Sequence, residues 1–333
     1  MNATIKLEKK HFPVLLDELI SIISPLYGGT FIDCTFGQGG YSKKILSNKN
    51  NKVVALDRDP ETLIEAKKLL KKFKGRFRFE NEKFSNINEL KISNHNLKAI
   101  IFDLGYSLSQ INDLKKGLSF NSKGKLNMRL GKNFFSADDV INKMSYENLN
   151  KVFKFFGDEQ KSKIIARNII KKRLKKKILS EDLVNIIESA KKKYSKINKS
   201  TKVYQSLRIL VNNEISQLIF GLINSFKLLP VGGILAVVTF HSLEDRIVKF
   251  FFKNYSDEKK SSRYLPELKE NKKIFKVINK KPIIPSSQEI KLNPSSRSAK
   301  LRCVQKIDNH NNFDEFYKKF HYLLKIEEFA DQL

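Results

Sequence analysis

The stretch FIDCTFGQGGYS, residues 31–42, is an apolar run that ends near Asp33 and passes directly into a turn with glycines at 37, 39 and 40. A short apolar run bounded by glycine reads as a buried strand, and SKKILSN behind the turn has helical spacing. The pattern continues. KVVALDRD is a second strand-like run, PETLIEAKKLLKKF is helical, LKAIIFDLG is another short buried strand, and GGILAVVTF follows much later, introduced by Gly232 and Gly233. Helices alternating with short apolar strands imply a parallel sheet covered on its faces, so the fold class expected is α/β. Pro60 suits a first helical position, and the Asp59 side chain suits the cap before it.

From 114 to 200 the texture changes, with no long β-branched run but helix-period stretches such as SADDVINKMSYENLNKVFKFFG and EQKSKIIARNIIKKRLKKKILSEDLVNIIESAKKK. A helical insertion is expected there, dividing a core into residues 1–113 and 201–333. The polar, proline-bearing segment 256–296 is expected to form loops and an edge hairpin.

The chain has 333 residues, 41% of them hydrophobic, which is long enough for one large domain with a real core. No stretch has the layout of a signal peptide, and the longest apolar runs fall short of a membrane span, so a soluble, cytosolic protein is expected. Cys34 and Cys303 match no metal-ligand spacing, and both are expected to be reduced and buried, with no metal. A net charge of +29 concentrates polyanions, nucleic acid first, although lysine, asparagine and isoleucine run high throughout and part of the excess is compositional. Guanidinium makes forked and stacked contacts that ammonium does not, which singles out Arg129, Arg208, Arg246, Arg297 and Arg302.

Parallel sheets bind ligands beyond the carboxyl ends of their strands, where glycine lets the backbone approach closely. GQGG stands at that place, but the dinucleotide fingerprint G-x-G-x-x-G is incomplete because its last position is Ser42. Asp57 ends VVALD twenty positions after Gly37, where a carboxylate takes the ribose hydroxyls of NAD or S-adenosylmethionine alike. IIFDLGYSLSQIND delivers Asp103 to the sheet edge beside Ser107, Ser109 and Gln110. Such convergent acceptors suit methyl transfer to an amine conjugated with a base, whose N–H groups must be held, and suit hydride transfer less. In HSLEDR, Ser242 and Asp245 have capping-box spacing, while His241 and Arg246 would face the cleft.

Taken together, HFPVLLDELI, DCTFGQGGYSKKIL, ALDRDP, DLGYSLSQI, GLSFNSKGKLNMRL, SADDVIN, FGDEQKSKIIARNI, YQSLRILVNNEI, GGILAVVTFHSLEDRIVKFF and NPSSRSAKLR resemble the RsmH/MraW family of bacterial small-subunit ribosomal RNA cytosine-N4 methyltransferases. The resemblance runs in order along nearly the whole chain. It implies a Rossmann-like methyltransferase core interrupted by a helical, RNA-binding domain, S-adenosylmethionine as donor, and a decoding-centre cytidine as acceptor. The partner implied is small-subunit RNA, not DNA or a membrane, with monomer or dimer left open. Matched motif by motif, it implies donor contacts at Gly39, Gly40, Tyr41, Asp57, Phe84, Asp103 and Gln110. Asp103, Ser107 and His241 are the catalytic candidates, and Arg129, Arg246, Arg297 and Lys300 the substrate contacts. The chain departs from the family pattern at Tyr41, usually His; at SLS, usually serine-serine-proline; and at NMRLG, where Asn127 and Gly131 replace acidic residues. Those departures leave open a rival reading, an RNA-binding assembly factor with weakened catalysis. An NAD-dependent oxidoreductase is disfavoured by Ser42.

Overall fold

In a computed structural model of the chain, the structure describes residues 13–106, 110, 111, 113, 114, 116–120, 122, 124–131, 133–191, 198–256 and 273–332. The expected strands form β1 (Gly29–Asp33), β2 (Asn51–Leu56), β4 (Leu97–Asp103) and β5 (Ile234–Thr239). They are joined by β3 (Phe77–Glu80), β6 (Phe275–Val277) and β7 (Lys300–Lys306). The sheet runs β3-β2-β1-β4-β5-β7-β6, with β1 to β5 parallel and β7 antiparallel to both β5 and β6.

Alternation along the strands sends side chains to two faces. Phe31, Val53, Ala55, Ala99 and Ile101 pack under α1 (Leu16–Ile23), α2 (Gly40–Leu46) and α3 (Leu63–Lys72). Ile32, Val54, Leu56, Ile100 and Phe102 face the other way, into a larger core. The helices α4 (Ala137–Lys143), α5 (Tyr146–Phe155), α6 (Ser162–Arg173), α7 (Ser180–Ala190), α8 (Thr201–Asn212) and α9 (Glu214–Leu228) contribute to it. The apolar residues of the helical segment are thus continuous with one face of the sheet. α8, beyond residue 200, packs on α4 and α5.

Asp59 caps a short 3₁₀ turn, Pro60–Thr62, by accepting from the Glu61 N–H, as its sequence position predicts. The cap of α10 (Ser242–Asn254) differs from expectation: the capping residue is His241, one position earlier, and Glu244 reaches back to the N–H groups of Phe240 and His241. Asp245 is thereby free of the cap and pairs with Lys300 and Arg302 of β7. The segment read as loops and an edge hairpin supplies β6 at the sheet edge, and also a helix not expected from its composition, α11 (Ser287–Leu292). The last helix is α12 (Asp314–Glu327). Both cysteines are free and buried. Among the described residues, no helix is long and apolar enough to cross a membrane.

Candidate active site

The strand order reverses between β1 and β4, and a crevice opens beyond their carboxyl ends, the place where such sheets take ligands. At the end of β1 the Asp33 side chain is fully buried. Burial pushes its carboxyl up, against the pull of hydrogen bonds from Ser42 and Thr35. The Ser42 hydroxyl donates to Asp33 Oδ2 at 2.6 Å, which explains why serine stands where a dinucleotide fold has its third glycine. Ser42→Ala would strand a buried acceptor, so a stability loss of about 1–3 kcal/mol is expected in urea unfolding. An unchanged midpoint would remove this bond from the stability of the turn.

Gly39 holds a left-handed φ of 72° at the start of α2. The Tyr41 ring is buried and its hydroxyl donates to the Val14 carbonyl. Asp57, at the end of β2, accepts the Gly37 N–H at Oδ2 (2.7 Å) and the Asp59 N–H at Oδ1 (2.9 Å). Burial pushes its pKa up to about 6. These bonds bind the glycine turn to the carboxylate and aim it into the crevice. Gln110 Nε2 donates to Asp59 Oδ2 (2.7 Å), where Lys116 also pairs. Phe84, on the 3₁₀ segment Phe84–Glu89, packs edge-on against Phe102, and a Cβ on Gly221 of α9 would come within 2.7 Å of its ring.

At the end of β4 the Asp103 N–H donates to Thr35 Oγ1 (2.7 Å), tying the two strand ends together. Its Oδ1 is buried without a hydrogen-bond partner, and burial pushes its pKa up to about 7. Four carboxylates line this cavity, Asp57, Asp103, Glu214 and Glu244, and of these only Asp103 keeps a buried oxygen without a hydrogen-bond partner. Glu214 accepts the Tyr106 hydroxyl (2.6 Å) and a two-pronged contact from Arg208 (2.9 Å for each prong), whose guanidinium also lies over the Tyr106 ring. Burial opposes ionisation of Glu244, but His241 and Arg208 outweigh it and hold the carboxyl below its usual range. Glu214, His241 and Glu244 place ligand atoms within 4.8 Å of one another, yet Arg208 and the α10 cap already use those carboxylates.

The remaining wall is the loop that reaches Leu130. Asn212, the last residue of α8, accepts the Leu130 N–H (2.9 Å) and donates to the Met128 carbonyl (2.8 Å). Arg58 donates to the Asn212 carbonyl, the Leu130 carbonyl and Asn133 Oδ1. Arg129 is exposed; its Nε donates to Asn127 Oδ1 (2.7 Å), an amide, and its guanidinium has no acidic partner among the described residues.

The cleft runs from the glycine turn past Asp57 and Asp103 to Leu130 and is open to solvent at its mouth. Gly40, Tyr41, Asp57, Phe84, Asp103 and Gln110 line it, all of them candidates from sequence. Gly39 sits behind the lining, and His241 is beside it through Glu244. Arg129 adjoins the lining residue Leu130, and Arg297 follows Ser295, which also lines the cleft. Lys300 is paired with Asp245 and does not line it; neither does Arg246. Ser107 lies outside the described residues. Tyr106, Glu214, Glu244 and Arg58 were not foreseen from sequence, because each reaches the site from a helix or turn whose periodicity reports packing alone.

The profile of the MraW methylase family matches residues 8–307. The chain belongs to this family. A relative from Bartonella bacilliformis, named Ribosomal RNA small subunit methyltransferase H, is 40% identical over 297 residues, covering 88% of this chain and 89% of its own. Relatives of the same name from Rhizobium etli (39%; 90% and 88% covered) and Afipia carboxidovorans (36%; 90% and 91% covered) are similar. Among solved structures, an rRNA methylase from Streptococcus thermophilus overlays 90% of this chain and 99% of its own, at 11% identity and a TM-score of 0.37.

The methyl donor of the family is S-adenosylmethionine, and the cleft fits it. The residues that would hold it line the cleft: the Asp57 carboxylate beyond the end of β2 would take the ribose, the 37–40 turn would offer backbone at close range, and Phe84 would supply an aromatic wall. Asp57→Ala is expected to raise the donor Kd by about tenfold to a hundredfold, since hydrogen bonds to a charged group contribute about 1.5–3 kcal/mol. Calorimetry with S-adenosylhomocysteine, alongside a thermal melt to show that the fold survives, measures this. Unchanged affinity would take Asp57 out of the site.

Proposed function

We propose that this protein methylates the exocyclic N4 of a cytidine in the decoding centre of small-subunit ribosomal RNA. The observation that carries the reading is Asp103: a buried acceptor without a partner, at the carboxyl end of β4, lining the same cleft as the glycine turn and Asp57. The names borne by relatives at 36–40% identity over nearly the whole chain support the RNA of the small subunit as the substrate.

S-adenosylmethionine supplies an electrophilic methyl group on a sulfonium. The chain's own part is to hold the nucleophile. A cytosine amine donates its lone pair into the ring, so it attacks well only when its N–H groups are fixed and the charge growing on nitrogen is matched. Asp103 Oδ1 takes one N–H of that amine. With a pKa of about 7, it also suits acceptance of the proton that the nitrogen sheds after methyl transfer. Glu244, whose carboxyl is held below its usual range, adds negative charge to the wall, and Glu214 stands beside it paired with Arg208. The base reaches this point only by leaving its stack. Residues 114–200, Arg129 and Arg297 are the surfaces proposed to hold the RNA around it.

The test is methyl incorporation from labelled donor into purified small subunits, with the modified nucleoside identified by mass spectrometry. N4-methylated cytidine is expected. Methyl on the cytosine carbon would overturn the assignment, and donor binding without transfer would favour the assembly-factor reading.

A further inference from the structure

Phe134 is fully exposed, at 103% of its reference area, in a loop whose neighbours are tied down. Asn133, one residue before it, spends its whole side chain on the protein: Nδ2 donates to the Val211 carbonyl (3.0 Å) and to Asn212 Oδ1 (2.9 Å), and Oδ1 accepts from Arg58 (3.0 Å). Phe135, one residue after it, is partly buried against the larger core. A capping box then starts α4 at Ser136. The backbone on both sides of Phe134 is therefore anchored, and its ring is presented to solvent from a fixed base.

Single exposed apolar residues are common and by themselves mean nothing. Two further observations separate this one. Arg58, which holds Asn133, lines the cleft, as does Leu130 of the same loop, so the loop that carries Phe134 borders the site. Arg129 is exposed on that loop, with its Nη1 against the Asn133 carbonyl at 3.4 Å and no acidic partner among the described residues. An aromatic face beside an unpaired guanidinium, on a chain of net charge +29, matches the two components of single-stranded nucleic acid: a base to stack and a phosphate to neutralise.

We propose that Phe134 is a stacking platform for an unstacked nucleobase adjacent to the one inserted in the cleft, with Arg129 on the intervening phosphate. This rests on the RNA methyltransferase reading above. Extruding a base breaks its stacking with its neighbours, and a ring waiting at the rim restores one of those interactions while fixing the register of the strand.

The chain contains no tryptophan, so Phe134→Trp places a lone indole reporter on the loop beside the cleft. Its emission is expected to be quenched on titration with a hairpin RNA carrying an unpaired cytidine, and to stay unchanged with a fully paired duplex. Phe134→Ala should lower kcat/KM on small subunits between about fivefold and a hundredfold, the range of one missing base–aromatic stack. Phe134→Leu should fare as badly as alanine, and Phe134→Tyr should stay near wild type, because only a flat ring stacks. Donor affinity and Tm should be unaffected in all of these variants, which a structural role would not allow. Wild-type kcat/KM in the alanine variant, or an indole that responds equally to duplex or not at all to the hairpin, would overturn the proposal. If the wild-type protein transfers no methyl to RNA, it is the reaction assignment that fails, and the indole titration still decides the stacking.

Discussion

Asp103→Asn is expected to lower kcat for methyl transfer by about 10²–10⁴-fold, the usual contribution of a positioned proton acceptor, while leaving the fold intact. Asparagine keeps the shape of the side chain but can neither carry the charge that balances the attacking nitrogen nor accept its proton. The wild-type rate should rise with pH and level off above about 7, where Asp103 ionises, and the residual rate of the variant should lose that inflection. Stability supplies an independent check. Burial raises the folded-state pKa of Asp103 from 3.8 to about 7, so the folded chain binds this proton more tightly than the unfolded one. Its contribution is therefore fully present below about pH 4 and is lost as pH rises through about 7. Asp103→Asn removes the cost of ionising a buried carboxyl, so the variant should match wild type near pH 4 and be the more stable of the two at pH 8. A variant that is equally active, or that is destabilised at pH 8, would show that Asp103 is a structural carboxylate.

The strands and the glycine turn were legible because their signals are local. A buried parallel strand needs an apolar run, and GTFID, NKVVAL, LKAIIFD and ILAVVT all have one. β3 escaped notice because FRFE is only half apolar and borders the solvent at the sheet edge. Asp57 and Asp103 were legible for a topological reason: each ends a strand, and every strand of the parallel part delivers its last residue to the same side. Glu214 has no such marker. It opens α9, and only the fold brings Arg208 and Tyr106 onto it; the six-residue step from Arg208 to Glu214 crosses a helix break at Asn213, whose φ is 50°. The cap of α10 misled because Ser-x-x-Asp is the commoner box, whereas His241 and Glu244 provide the same two bonds one residue earlier, which turns Asp245 toward β7. Arg302 and Lys300 thus read as a cationic patch in sequence but are ion-paired in the structure. Arg129 and Arg297 are exposed and make no ion pair with an acidic residue among those described.

The structured small subunit should be methylated far better than naked RNA, and a short cytidine-bearing oligonucleotide should be the poorest substrate of the three. The reason is geometric. Arg129 and Phe134 are on the loop that borders the cleft at Leu130, Arg297 stands beyond Ser295, and exposed Lys163, Arg167, Lys171 and Lys175 lie on and just after α6, in the helical segment. These surfaces belong to elements far apart in the chain, and a short strand threaded into the cleft reaches only those at its rim. An extended, prefolded partner engages them together, and each phosphate contact adds to affinity and to its salt dependence. Binding energy gained far from the reacting atoms is what orients them, so its absence lowers kcat/KM and not binding alone. Deprived of about four remote phosphate interactions, the oligonucleotide should fall short of the subunit by roughly 10²–10⁴-fold in kcat/KM near physiological salt. The salt slope of binding should be steep for the subunit and shallow for the oligonucleotide, and lysine-to-glutamine changes at positions 163, 171 and 175 should reduce the first without touching the second. Initial rates of methyl incorporation over a salt series, for all three substrates, measure both quantities. Equal efficiencies, or a flat salt response on the subunit, would show that the cleft alone selects the RNA and that the +29 charge follows from composition.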